Sequence, residues 1–163
     1  WLGATDFATS NQQNLADSTS NNIDLTGVQL EVGSVATDFA HEDYRTTLAK
    51  CQRYYWREQA VSANQPLAGG GYNTSTTVSD FVTYFPVIMR VAPTLETTGT
   101  ATHYRIRHLA ANITCDAVPV FAAAALTSSG RIRTSVASGL TAGQGVILFA
   151  VDSNGFLGYS AEL

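Results

Sequence analysis

Charged side chains are scarce in this sequence, and their scarcity narrows the range of partners. Only 13% of the 163 residues are Asp, Glu, Lys or Arg, against roughly 25% in an average globular protein. Lys50 is the only lysine. With a net charge of −4, the chain lacks the basic footprint that phosphate binding requires, so we expect no general nucleic-acid partner.

Long hydrophobic runs and active-site motifs are also lacking. The longest apolar run, Val118 to Leu126, is far shorter than the ~20 residues of a membrane-spanning helix, so we expect no membrane insertion. No GxSxG or HExxH motif occurs, and the glycine run after Ala68 precedes no helical pattern that would form a phosphate loop. The chain begins with Trp1 and its single methionine is Met89. We therefore expect it to be part of a longer or processed protein.

Cysteine is limited to Cys51 and Cys115, which do not have CxxC spacing. We expect both to be reduced and buried, because cysteine commonly packs as a small hydrophobic side chain. One disulfide between them is the alternative. His103, His108 and Cys115 do not have zinc spacing, since strand residues five apart point to opposite faces. We expect no metal, no cofactor and no catalytic residue.

Alternating side chains predict an all-β protein. Residues 102–109 and 130–139 alternate between basic and mainly apolar side chains, as expected for strands with one buried and one solvated face. The dipeptide Asn154-Gly155 lies between two apolar runs and predicts a hairpin. Short strands separated by regular turns predict an antiparallel β-sandwich, similar to a jelly roll.

Three regions follow from these patterns. Residues 1–40 hold a polar loop and an alternating segment from Ile23 to Val32, bent at Gly27, and are expected to be the last strands of an upstream β domain. Residues 41–58 are expected to be a connector helix. Residues 59–163 are expected to form the complete sandwich domain.

The connector helix is predicted from His41 to about Trp56. Leu48, Cys51 and Tyr55 recur at three- and four-residue spacing and would share one apolar face. Adjacent aromatic residues on a helix lie about 100° apart and cannot form one flat stacking platform for a ligand. We therefore expect Leu48, Cys51, Tyr55 and Trp56 to form a structural or oligomer clasp, packed against the sandwich or a partner chain.

Two arginine pairs are the candidate ligand-binding residues. Arg105 and Arg107 share one strand face, and so do Arg131 and Arg133. If the two strands are neighbours, four guanidinium groups could bind an anionic sugar or a phosphate in bidentate fashion. The alternative is a solvated outer face, or ion pairs with carboxylates of a neighbouring subunit.

Several stretches resemble a known family. LTGVQLEVG (25–33), followed by Ala36, Thr37 and Phe39, and CQRYY (51–55) are similar to a recurrent segment in the C-terminal region of tail-fibre and receptor-binding tail proteins of tailed bacteriophages. FPVIMRVAPTL (85–95), LTAGQ (140–144) and SAEL (160–163) also resemble that family. The likeness extends from about residue 21 to residue 163 and is looser between 97 and 138.

The resemblance implies a virion protein, made in the cytoplasm of a bacterial host, that forms a homotrimer and contacts other tail proteins. It implies that residues 1–40 close a carbohydrate-binding-like β domain, and that the sandwich recognises a host cell-surface glycan or protein without catalysis.

One alternative function is that of a purely structural virion protein, such as a capsid fibre or tail adaptor. Another is a polysaccharide depolymerase or esterase, for which no acid/base pair is evident. The acidic residues Glu42 and Asp43 are expected to cap the helix instead.

Overall fold

The computed structural model describes residues 27–35, 37–109 and 111–162. The chain divides into two compact units, Trp1–His41 and Glu42–Leu163. The predicted strand from Ile23 to Val32 is wrong for residues 27–32, which form neither strand nor helix. Residues 23–26, like the predicted polar loop before them, lie outside the described residues.

Residues 27–35 and 37–40 form loop segments that polar side chains hold together. The Glu31 carboxylate accepts hydrogen bonds from the backbone N–H and the hydroxyl of Thr37. Gln29 accepts a hydrogen bond from the backbone N–H of Ala40 at 2.8 Å. The hydrogen bond from the Thr37 hydroxyl is the main reason why the pKa of Glu31 is lowered. The segment alternates as a strand would, but a strand also needs a paired neighbour to be stable.

In its described residues, the second unit is a β-sandwich with one short α-helix and one short 3-10 helix (Ala101–His103). The α-helix is α1 (Tyr44–Gln52), and the strands are β1 (Tyr55–Gln59), β2 (Pro66–Asn73), β3 (Val78–Tyr84), β4 (Thr94–Thr97), β5 (Tyr104–His108), β6 (Ala111–Thr114), β7 (Val120–Phe121), β8 (Ser129–Ser135), β9 (Gly145–Ala150) and β10 (Phe156–Ser160). The strands form two antiparallel sheets, with strand orders β1-β10-β4 and β6-β5-β9-β2-β3-β8-β7. The predicted all-β antiparallel sandwich is confirmed.

Apolar side chains from both sheets form one core cluster. Phe81 on β3, Leu148 on β9 and Tyr159 on β10 have no exposed surface. The predicted alternation of β5 and β8 is also confirmed. The side chains of Ile106 and Ile132 are fully buried, while the arginines beside them on each strand lie on the opposite, outer face of the larger sheet.

Helix α1 ends earlier than predicted. Tyr55 and Trp56 belong to β1 and not to the face of the helix. They lie opposite Ser160 and Tyr159 of β10. Tyr and Trp favour strands, and pairing with a strand about a hundred residues later in the chain overrides the local helical spacing. The helix also begins three residues later than predicted, at Tyr44, although Asp43 caps it as expected.

The dipeptide Asn154-Gly155 does not close a hairpin. The strands before and after it, β9 and β10, belong to different sheets. Asp152 accepts a hydrogen bond from the backbone N–H of Asn154 at 2.8 Å, so the turn forms locally while the chain crosses between the sheets. Among the described residues, no helix has the length and apolar character that crossing a membrane requires.

Candidate functional site

The two arginine pairs lie on the same sheet but do not meet. Arg105 and Arg107 lie on β5, Arg131 and Arg133 lie on β8, and β9, β2 and β3 separate them. Because neighbouring strands are about 4.8 Å apart, the pairs are roughly 19 Å apart. The two strands are not neighbours, so the condition for a cluster of four guanidinium groups is not met. Local alternation identifies the face of a residue but not the neighbours of its strand.

Arg131 and Arg133 instead share a buried carboxylate. Asp80 lies on β3 directly opposite Arg133, and its side chain is only 2% exposed. Arg133 donates hydrogen bonds from Nε to Oδ1 at 2.7 Å and from Nη2 to Oδ2 at 2.8 Å. Nε of Arg131 lies 3.8 Å from Oδ2. The hydrogen bonds from Arg133 lower the pKa of Asp80, and they outweigh the opposing effect of burial.

The two arginines differ in how firmly they are held. Arg133 makes a bidentate pair, which fixes the plane of its guanidinium. Arg131 is beyond hydrogen-bond distance of the carboxylate, and its side chain is 47% exposed. Since one carboxylate faces two guanidinium groups, the cluster carries a net charge of about +1 on a chain whose overall charge is −4.

Exposed aromatic and apolar side chains border the arginines on the same outer face. The strand register places Tyr72 opposite Asp80 and Val82 opposite Arg131. Tyr84, two residues beyond Val82, is 76% exposed. We call this surface the arginine face, and its residues are Tyr72, Asp80, Val82, Tyr84, Val120, Arg131 and Arg133.

Two shallow cavities flank the arginine face. One, of about 220 Å³, lies against Arg131 and Val82. The other, of about 190 Å³, lies against Arg133 and Val120. Both are smaller than the ~300 Å³ at which enclosed small-molecule sites begin. The face is therefore suited to a ligand that lies across it, with only side groups entering the cavities.

The predicted clasp residues fall into two groups. The Trp56 ring stacks on Tyr159, and the Tyr55 hydroxyl donates a hydrogen bond to Glu96 at 3.2 Å, so both pack on the sandwich, from strand β1 and not from the helix. Leu48 and Cys51 lie on α1, none of whose residues is buried in the single chain.

The prediction that both cysteines are buried is wrong for Cys51. Its side chain is exposed because the face of α1 on which it lies is not covered in the single chain. Cys115 is buried, and both cysteines are free. Burial raises the pKa of the Cys115 thiol to about 11, so this side chain is a neutral core group and not a nucleophile.

A larger groove lies beside the helix. It has a volume of about 860 Å³ and is formed by α1 and the loop after β3. We call it the helix groove, and its residues are Arg45, Thr46, Ala49, Lys50, Arg53, Val87 and Ile88. Lys50 is paired with Glu42. The sequence did not indicate this groove, because its two walls are more than thirty residues apart in the chain.

Three buried polar side chains of the larger sheet, Asn73, Ser79 and His108, are of residue types that also occur in catalytic sites. Ser79 donates a hydrogen bond to Oδ1 of Asn73 at 2.6 Å, and Nδ2 of Asn73 lies 3.0 Å from Nδ1 of His108. The serine hydroxyl is thus bonded to an amide and not to the imidazole that would activate it. These contacts satisfy buried polar atoms. In the described part of the chain, no group of three His, Cys, Asp or Glu residues could hold a metal ion.

Comparison with known proteins assigns no family to this chain. The arginine face and the helix groove must therefore be interpreted from their own chemistry. No family model matches the chain, and neither a curated protein nor a solved structure shows significant similarity to it.

Proposed function

We propose that this chain is the receptor-binding region of a bacteriophage tail fibre, without enzymatic activity, and that it attaches the virion to a glycan or protein of the host surface. The observation that carries this proposal is the arginine face. Asp80 fixes Arg133 before any ligand arrives, and exposed Tyr72 and Tyr84 lie beside it. Donors held in place by a buried partner reduce the ordering cost of binding.

The sequence resemblance supports the same proposal. The LTGVQLEVG and CQRYY stretches are similar to tail-fibre proteins, and such proteins are virion components assembled in the host cytoplasm. An antiparallel sandwich with an open sheet face provides a rigid platform for recognition.

We further propose that the chain is a homotrimer that contacts other tail proteins. Helix α1 buries no side chain in the single chain, and Leu48, Leu30 and Val32 are exposed. Burial of such residues against identical copies would be favourable. Three copies on one fibre also raise avidity by about 10²–10⁴ without any new contact.

An adsorption competition tests the proposed function. Host cells are incubated with an excess of the purified full chain before the virion that encodes it is added. We expect adsorption to fall, whereas an unrelated β-sandwich of similar charge leaves it unchanged. The proposal is overturned if the full chain neither binds the cells nor competes. In that case, a map of the virion with the sandwich clamped between other proteins would identify a structural component, and release of reducing sugar or acetate would identify an enzyme.

A further inference from the structure

The free edge of the arginine pair favours an anionic ligand. Nε and Nη2 of Arg133 are used on Asp80, so the edge that carries Nη1 faces away from this carboxylate. Arg131, two residues away on β8, leaves most of its five N–H donors available. One further carboxylate would bring the cluster to two negative and two positive charges.

The amount of charge favours a carboxylate over a polyphosphate. The cluster has a net charge of only about +1. The chain as a whole carries −4, which would repel a densely charged polyanion. A ligand with one negative charge on each repeating unit fits both observations.

The tyrosines favour a ring-shaped ligand with an apolar face. From the register, Tyr84 lies one strand and two residues from Arg131, and Tyr72 lies two strands from Arg133. With strands about 4.8 Å apart and residues about 3.4 Å apart along a strand, the two tyrosines are roughly 14 Å apart, with the arginines beside the line between them. The C–H groups on one side of a pyranose ring can pack on such exposed aromatic rings.

We propose that the arginine face binds an acidic sugar within a surface polysaccharide. Arg131 and Arg133 bind the sugar carboxylate, and Tyr84 and Tyr72 pack against sugar rings on either side. The open face and the shallow cavities suit a polymer that stays partly solvated. This inference rests on the proposed function, because it names the class of receptor that the arginine face binds.

The test compares two sugars and four variants of the full chain. Calorimetry at low salt measures binding of a glucuronic acid tetrasaccharide and of the matching neutral glucose tetrasaccharide. We expect the neutral sugar to bind at least tenfold more weakly. Arg131→Gln is expected to weaken binding of the acidic sugar at least tenfold, and Tyr84→Ala about fivefold.

Each variant has a matched control. Arg107→Gln removes the same charge from the same sheet face four strands away, and Tyr44→Ala removes a tyrosine that is 75% exposed on α1. Both controls are expected to bind within twofold of the unmodified chain. Arg131 makes no hydrogen bond to Asp80 at 3.8 Å, so its replacement is expected to lower the melting temperature only slightly and to leave the chain folded.

Three results would overturn the inference. They are absence of binding to the acidic tetrasaccharide, equal binding of the acidic and neutral sugars, and equal losses in Arg131→Gln and Arg107→Gln. The adsorption competition separates this failure from failure of the proposed function. If Arg131→Gln still competes as well as the unmodified chain, the chain is a receptor-binding protein that uses another surface. If the unmodified chain does not compete, the proposed function itself fails.

Discussion

The Trp56 indole stacks on the ring of Tyr159, with centroids 5.0 Å apart and planes 13° from parallel. Phe85 and Phe121 contact the same tyrosine at centroid distances of 5.0 and 6.2 Å. Tyr159 is fully buried, and burial raises the pKa of its hydroxyl to about 12. Trp56 therefore closes an aromatic cluster that joins both sheets, and it helps to anchor the CQRYYW stretch to the sandwich.

Removal of this anchor should destabilise the sandwich. Trp56→Ala is expected to lower the free energy of unfolding by about 2–4 kcal/mol, because it removes a stacked ring from a packed cluster. Tyr54→Ala is the control, since Tyr54 is 46% exposed, and it should cost less than about 1 kcal/mol. Urea denaturation measures both. Equal losses would mean that the stacking of Trp56 contributes nothing particular to stability.

The ion pair of Asp80 should make the protein sensitive to acid. The pKa of Asp80 is lowered in the folded state. The ion pair therefore stabilises the fold at pH values above the ordinary pKa of a carboxyl group. This contribution is lost as the pH falls through the lowered pKa of Asp80. Asp80→Asn is expected to flatten the loss of stability between neutral pH and about pH 3. Asp38→Asn is the control, because Asp38 is exposed and lies outside the sandwich unit. The interpretation fails if the two variants show the same pH dependence by urea unfolding.

Replacement of Arg133 should destabilise the fold more than replacement of Asp80. Arg133→Gln leaves a buried carboxylate with only the looser Arg131 contact, and it is expected to cost about 1.5–3 kcal/mol. Asp80→Asn leaves two partly exposed arginines that water can solvate, so a smaller loss, about 1 kcal/mol, is expected at neutral pH. Equilibrium unfolding in urea measures the difference. A larger loss in Asp80→Asn would contradict this ordering.

Gly71 should be intolerant of any side chain. A Cβ atom at this position would lie 2.3 Å from a ring carbon of Phe81 and 2.8 Å from the carbonyl oxygen of Asp80. Gly71→Ala is therefore expected to destabilise the sandwich by about 1–3 kcal/mol through overpacking. Gly69→Ala, on the same strand with open space around it, should change stability by less than about 0.5 kcal/mol. Thermal unfolding of both variants gives the comparison, and similar melting temperatures would refute the steric argument.

The uncovered helix should contribute to self-association. Leu48 is exposed on α1 in the single chain. Leu48→Glu is expected to shift the chain from trimer to monomer without unfolding the sandwich, because a charge would be buried at the proposed interface. Val61→Glu, at an exposed position outside the helix, should leave the oligomer intact. Analytical ultracentrifugation reports the outcome, and a monomeric unmodified chain would contradict the proposal.

The sequence predicted which face of a strand is buried better than it predicted which strands lie side by side. Alternation in residues 102–109 and 130–139 identified the buried face of β5 and β8 correctly, because side-chain direction depends only on the local backbone. The order of the strands depends on contacts between distant parts of the chain. Alternation alone could not show that β5 and β8 are four strands apart. For the same reason the predicted Asn154-Gly155 hairpin is wrong, and the predicted helix runs into a strand that pairs with β10.

The sequence does carry a signal for the carboxylate at the centre of the arginine face. Asp80 is the one acidic residue in the apolar stretch from Val78 to Met89, and a charge in a buried strand requires a partner. That signal indicates that a basic residue must lie nearby, although it does not indicate which one. The helix groove carried no comparable signal, since Val87 and Ile88 meet α1 only in the folded chain.

The position of the chain on the virion tests the central claim most directly. Antibodies raised against the full chain, labelled with gold, would be located by electron microscopy on intact particles. If the chain is a receptor-binding protein, the label lies at the free distal end of the tail and the same antibodies block adsorption. Label on the capsid, or between other tail proteins with adsorption unaffected, would contradict the claim.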